Sequence, residues 1–157
     1  MAQEETRKEK LARLLAKGKL KRERNEIIEM YTDDLKYPLT MDKFLDLTYS
    51  NTIRSSVYRK ISTLPEQRFA EYQNALTALK GMKERSSALR ERTVVFYYVG
   101  LLLQEEGGIE LPLQDVWDIL ENAYKKEMDI MIVAIDFSFG ISLEVEEHSC
   151  SVTSWGL

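Results

Sequence analysis

A chain of 157 residues with one cysteine, seven glycines and three prolines has the length of a single domain and cannot close an internal disulfide. A hydrophobic fraction of 44% and a charged fraction of 31% are those of a globular protein that buries roughly two thirds of its unfolded surface. The net charge of −4 hides a block pattern: +5 over residues 1–24, −4 over 25–53, +5 over 54–92 and −10 over 93–157, which suits separate faces for separate partners, or complementarity inside the fold.

The N-terminus is charged and lacks the apolar core of a signal peptide. Residues 2–31 have helical composition, with Leu11, Leu14, Leu15 and Leu20 as an apolar stripe that Ile27, Ile28 and Tyr31 continue. Gly18 weakens the middle by about 1 kcal/mol relative to alanine. The basic first part therefore reads as an arm or helix extension. Pro38 breaks the helix, and Thr40 followed by Asp42 has the chemistry of a new start. Thr48 to Thr52 competes with helical backbone, so a kink is expected before a helix carrying Ile53, Val57, Tyr58 and Ile61. Thr63-Leu64-Pro65-Glu66 predicts the next helix start, followed by Phe69, Tyr72, Leu76 and Leu79 at core spacing.

The run Thr93 to Leu103 is uncharged and well short of the roughly 20 residues of a membrane span. It is read as the central core helix, entered past Arg90 and Arg92, left at Glu105-Glu106 and stopped by Gly107-Gly108. Acids at a helix C-terminus oppose the helix dipole, so a basic group is expected near that exit. Gln114 to about Asp136 is read as the last helix, although the near-continuous apolar residues 128–137 equally suit a buried strand. Alternation over Ile141, Leu143 and Val145 gives an edge strand or a tail, and the last ten residues are expected to be loosely held.

Residues for catalysis or metal binding are scarce. His148 and Cys150 are the chain's single histidine and cysteine, and two ligands do not close a zinc site. The residue three before His148 is Val145, so a helical di-iron signature is missing. Neither Gly81 nor Gly107-Gly108 precedes a phosphate-binding Lys-Ser/Thr pattern. The acid pairs Asp33-Asp34, Glu105-Glu106 and Glu146-Glu147 are adjacent residues, which on a helix diverge by about 100°. Trp117, Leu120, Tyr124 and Phe137 resemble one tetratricopeptide unit, but Glu121 stands where that motif has glycine and no second copy occurs, so no family is assigned.

The sequence thus predicts a mainly α single domain: a bundle of five or six helices around a central apolar helix at about 87–106, with at most a short β element near the C-terminus. Residues 1–24 form the arm, 25–140 the helical core and 141–157 a strand or tail. The expected role is that of a non-enzymatic adaptor, inhibitor or assembly-chaperone-like module, without cofactor or metal. It would act in the cytoplasm, or in a host cytoplasm for a viral chain. A protein partner is expected, with a homo-oligomer and nucleic acid as further options and no membrane. The candidate contacts for an acidic partner or nucleic acid are Arg13, Lys17, Lys19, Lys21, Arg22 and Arg24 in the arm, with Arg54, Arg59 and Lys60 in the second basic block. The candidate partner-facing apolar residues are Trp117, Met128, Met131 and Phe137.

Overall fold

Thr93–Val99 is made entirely of β-branched and aromatic residues, and it forms a strand. The computed structural model describes residues 5–99, 108–122 and 128–157. In chain order these form α1 (Arg7–Asp33), α2 (Leu47–Ile61), β1 (Gln67–Phe69), α3 (Tyr72–Arg85), β2 (Thr93–Val99), β3 (Ile109–Pro112), α4 (Leu113–Glu121), β4 (Asp129–Ala134), β5 (Gly140–Val145) and β6 (Cys150–Trp155). The strands make one antiparallel sheet in the order β1-β6-β5-β4-β2-β3. The mainly α bundle of five or six helices is overturned: this is a mixed α/β protein with four α-helices and six strands among its described residues.

The reason lies in how the sheet is covered. Val94, Phe96 and Tyr98 of β2 join Ile130, Ile132 and Ala134 of β4, and Ile141 and Leu143 of β5, in one cluster. Tyr72, Leu76 and Leu79 of α3, Val116, Ile119 and Leu120 of α4, and Ile27 and Tyr31 of α1 complete it. Val95 and Tyr97 of β2, with Met131 and Val133 of β4, form a second cluster with Ile53 and Val57 of α2. Helices therefore cover both sheet faces, and after the first residue of each strand, Thr93 and Asp129, successive residues of β2 and β4 are all apolar or aromatic. Strands buried on both sides lose the polar alternation that identifies a strand.

The same cause corrects the last helix. α4 ends at Glu121 and the chain continues as β4 from Asp129, so Gln114 to Asp136 is not one helix. The expected exit at Glu105-Glu106, with Gly107, lies outside the described residues.

The C-terminal stretch is a hairpin inside the sheet. β6 pairs with β5 on one side and β1 on the other, so Cys150, Ser151, Val152 and Thr153 are buried and not loosely held. A Cβ on Gly140 would lie 2.1 Å from the Trp155 ring, and the indole Nε1 donates to Phe137 O at 3.0 Å. Close packing against that ring is what Gly140 serves. α2 runs unbroken from Leu47 with Asp46 as its cap, the carboxylate accepting from Tyr49 N at 3.2 Å. Ser50, placed in the expected kink, is fully buried. Its Oγ donates to Tyr97 Oη at 3.2 Å and accepts from Gly108 N at 2.7 Å. The predicted start at Thr63–Glu66 is instead the turn into β1, and α3 begins at Tyr72.

Candidate interaction surface

α1 is one continuous helix, but only its last two turns carry buried residues, Ile27 and Tyr31. Residues 5–19 are exposed on every side. Thr6 and Glu9 close a capping box: Thr6 Oγ1 accepts from Glu9 N at 3.1 Å and Glu9 Oε2 accepts from Thr6 N at 3.0 Å. Such a box satisfies two of the four N–H groups that a helix start leaves open. Thr-x-x-Glu is visible in the sequence, so this signal for an ordered start could have been found there.

The three leucines of this projecting half remain largely exposed: Leu11 at 59%, Leu14 at 52% and Leu15 at 65%. Leu11 to Ile27, and Leu15 to Tyr31, are each separated by a turn of about 160° around the axis, at 3.6 residues per turn. The leucine stripe therefore points away from the side on which α1 packs against the body. The stripe does not continue into Ile27 and Tyr31, as the sequence suggested. Charge follows the same division. By the same geometry Arg7, Lys8, Lys10, Lys19, Lys21 and Arg22 lie within about 100° of the stripe's centre and Lys17 just beyond, while Glu5, Glu9 and Glu23 lie on the opposite side together with Arg13 and Arg24. The outcome is an apolar strip framed by cations.

Of the predicted arm contacts, Lys17, Lys21 and Arg22 make no ion pair among the described residues. Arg13 pairs with Glu5 at 3.0 Å and Lys19 with Glu23 at 3.7 Å. The first is exposed, the second has Glu23 half-buried, and such surface pairs are worth about 1 kcal/mol at most. Arg24 is turned inward: Nη2 donates to Leu45 O at 2.8 Å and the guanidinium lies 5.0 Å from the Phe44 ring centroid. It fastens α1 to the segment before α2.

The second basic group does not form one patch. Arg54 is half-buried with its guanidinium 5.2 Å from the Tyr97 ring centroid. Arg59 and Lys60 are exposed in the last turn of α2, where cations complement the helix dipole. The predicted partner-facing apolar residues are placed in the body. Trp117, Met128 and Met131 are 4%, 7% and 6% exposed, so they pack against the chain's own core and are not presented to a partner. Phe137 is half-buried beside the cluster under α2. The surplus of apolar residues at 128–137 is accounted for by a strand covered on both faces.

The chain matches a family model described as YxiF protein over residues 27–155, and it belongs to that family. No curated protein and no solved structure matches it. The match starts at Ile27, the first residue of α1 buried in the body, so the projecting leucine stripe lies outside the matched part.

Proposed function

For this member of the YxiF family we propose a non-enzymatic role as a protein-interaction module. The projecting half of α1 is the element that docks. The observation that carries this reading is the leucine stripe of Leu11, Leu14 and Leu15, turned away from the body and framed by Lys21, Arg22 and their neighbours. A helix with apolar residues at i, i+3 and i+4 suits an apolar groove. The framing cations suit a groove with an acidic rim.

Magnitudes set the kind of partner. Burying three half-exposed leucines contributes roughly 3 to 5 kcal/mol. A micromolar complex needs about 8 kcal/mol, so the cations or further contacts supply the remainder, and binding weakens with salt. The nucleic-acid reading draws on the same cations but leaves the leucines without a role, since a phosphate backbone offers them nothing. No aromatic residue lies in residues 5–30, which removes base stacking as a use for the arm. It also removes the aromatic anchors typical of helices that lie in a membrane interface. Among the described residues, no helix is long and apolar enough to cross a membrane.

The test compares three full-length baits in native lysate, with and without nuclease: the natural chain, Leu11→Ser/Leu14→Ser/Leu15→Ser, and Lys17→Glu/Lys21→Glu/Arg22→Glu. Captured proteins are then assayed singly for direct binding. The expected result is an acidic protein that survives nuclease, binds the natural chain directly and is lost with both variants. Equal binding to all three baits would overturn the role of α1, and loss on nuclease treatment would replace the protein partner with nucleic acid. Sedimentation of the natural chain as a dimer that the leucine variant dissolves would make the occupant a second copy.

A further inference from the structure

The leucine stripe of α1 does not end at Leu15. Gly18 lies three positions beyond Leu15 and four beyond Leu14, within about 20° of the stripe's centre at 3.6 residues per turn. Glycine weakens a helix interior relative to alanine, and it is needed where a left-handed turn or a close neighbour excludes a side chain. Neither holds at Gly18. The backbone there is helical, and a Cβ would meet nothing within 4 Å among the described residues. Gly108, Gly140 and Gly156 differ, since a Cβ on each would strike the chain's own atoms. Gly81 of α3 is as open as Gly18, but it borders no exposed apolar stripe. A glycine in line with exposed leucines leaves a bare stretch of helix backbone that only another molecule can use.

A second, independent observation lies beside it. An open trough of about 390 Å³ forms where α1 passes Met41, lined by Lys17, Gly18, Leu20, Lys21, Arg24 and Met41. Leu20, Arg24 and Met41 are half-buried, whereas Lys17 and Lys21 are exposed. Three of the six lining residues are cations and none is an acid. Lys17, Lys21 and Arg24 stand at i, i+4 and i+7 on one side of α1, and like charges at that spacing destabilise a helix. Arg24 is tied to Leu45 O and the Phe44 ring. Lys17 and Lys21 form no ion pair among the described residues. The trough is therefore apolar below and positive above.

We propose, resting on the docking role of α1, that the partner meets it with an acidic helix that crosses at Gly18 and seats a carboxylate between Lys17 and Lys21. Packed helix axes lie about 8–10 Å apart, according to the side chains at the contact. A glycine at the crossing brings them to the near end of that range. Leu11, Leu14 and Leu15 then lie along the partner's apolar side. The carboxylate replaces the repulsion between Lys17 and Lys21 with attraction to both, and an apolar neighbour on the same helix covers Leu20 and Met41. Phosphate would satisfy the two lysines, yet it gives Gly18 and the leucines no role.

Gly18→Ala separates this contact from a structural role, because it should improve the free helix and harm the complex. The full-length ¹⁵N-labelled chain is titrated by NMR with a designed amphipathic peptide of about 20 residues, long enough to be helical alone, that carries leucines flanked by glutamates. Its twin with glutamine for every glutamate, and a duplex DNA of mixed sequence, are titrated in parallel. Saturable shifts at the amides of residues 11–24 are expected with the acidic peptide, and binding about tenfold weaker with the twin. Gly18→Ala should slow amide exchange over residues 14–22 about fivefold and lower the affinity for the acidic peptide about tenfold. Lys17→Gln/Lys21→Gln should bring the two peptides close to one affinity. Leu11→Ser/Leu14→Ser/Leu15→Ser tests the docking role itself, which fails if that variant binds the peptide like the natural chain. If the leucine variant loses the peptide while Gly18→Ala and Lys17→Gln/Lys21→Gln keep it, docking stands and the crossing at Gly18 is overturned. No saturable binding of the acidic peptide, or tighter binding of the DNA, overturns it as well.

Discussion

Ser50 provides the sharpest test of how α2 is held on the sheet. Its side chain is fully buried, accepts from Gly108 N at 2.7 Å and donates to Tyr97 Oη at 3.2 Å. Tyr97 Oη in turn donates to Ser50 O at 2.7 Å. Ser50→Ala removes the hydroxyl and leaves the buried Gly108 N–H without that acceptor. A buried donor deprived of its partner costs about 1–3 kcal/mol. Tyr97→Phe removes one donor, and Ser50 O is a carbonyl inside a helix that retains its intrahelical bond, so about 1 kcal/mol is expected. Taking about 2 kcal/mol for Ser50→Ala and about 2–4 °C per kcal/mol for a chain of this size, Tm falls by about 4–8 °C. Urea unfolding of the two variants beside the natural chain measures both values. A Ser50→Ala loss below about 0.5 kcal/mol, or one smaller than that of Tyr97→Phe, would refute the hub. It would mean that α2 is held by Ile53 and Val57 alone.

Three further outcomes follow from particular contacts. Glu144 has its pKa raised by burial and by neighbouring acids, so the folded state holds its proton more tightly than the unfolded state. Stability is then lost as pH rises through the raised value. Glu144→Gln should accordingly stabilise the chain at pH 7 and lose that advantage in urea melts at about pH 3, below the unfolded value of a glutamate, where the carboxyl is protonated in both states; an advantage that grows on acidification would reverse the argument. Gly140→Ala drives a Cβ into the Trp155 ring, and overpacking of this kind costs about 1–3 kcal/mol; an unchanged melting temperature and unchanged tryptophan fluorescence would show that the ring moves freely. Thr6→Ala breaks the capping box of α1 and should fray its exposed start, at a cost of about 1 kcal/mol to the helix, seen as weaker far-UV helical signal and faster amide exchange at residues 7–12 without a change in global unfolding.

The helical stripes that could be read from the sequence were those with solvent on one side. Tyr72, Leu76 and Leu79 in α3, and Ile53 and Val57 in α2, are buried as their spacing indicates. Their outer faces are charged, so the period of 3.6 is visible. β2 and β4 gave no such contrast. α2 covers Val95, Tyr97, Met131 and Val133, so every position from Val94 in β2 and from Ile130 in β4 is apolar or aromatic, and the period of two disappears. β1 is only three residues long and is defined by its pairing with β6, a partner more than 80 residues away that no local pattern announces. Asp129 and Glu144 are likewise unremarkable in sequence, and only the pairing of β4 with β5 brings them near each other.

The arm presents the opposite case, in which the sequence grouped the leucines on one face and the structure changed where that face points. Leu11, Leu14 and Leu15 read as the beginning of a core stripe, because helical spacing reports that residues share a face and not where that face points. The distance from Leu11 to Ile27 settles the direction, since sixteen positions turn a helix by about 160°. Large exposed apolar side chains among the described residues are Leu11, Leu14, Leu15, Tyr49, Tyr58 and Ile135. Tyr49 and Tyr58 lie nine residues apart on α2 and so on opposite sides of it, and the three leucines form the one group among these that lies on a single helical face. Exposure of three leucines costs the free chain little in folding, because the helix is fixed at its far end by Ile27, Tyr31 and Arg24. Their solvent contact is a standing cost that a groove would relieve. The cations around them repel one another, which an acidic rim would relieve as well. Both costs are lowered by the same partner, and that is why the stripe and its charge are read as one surface.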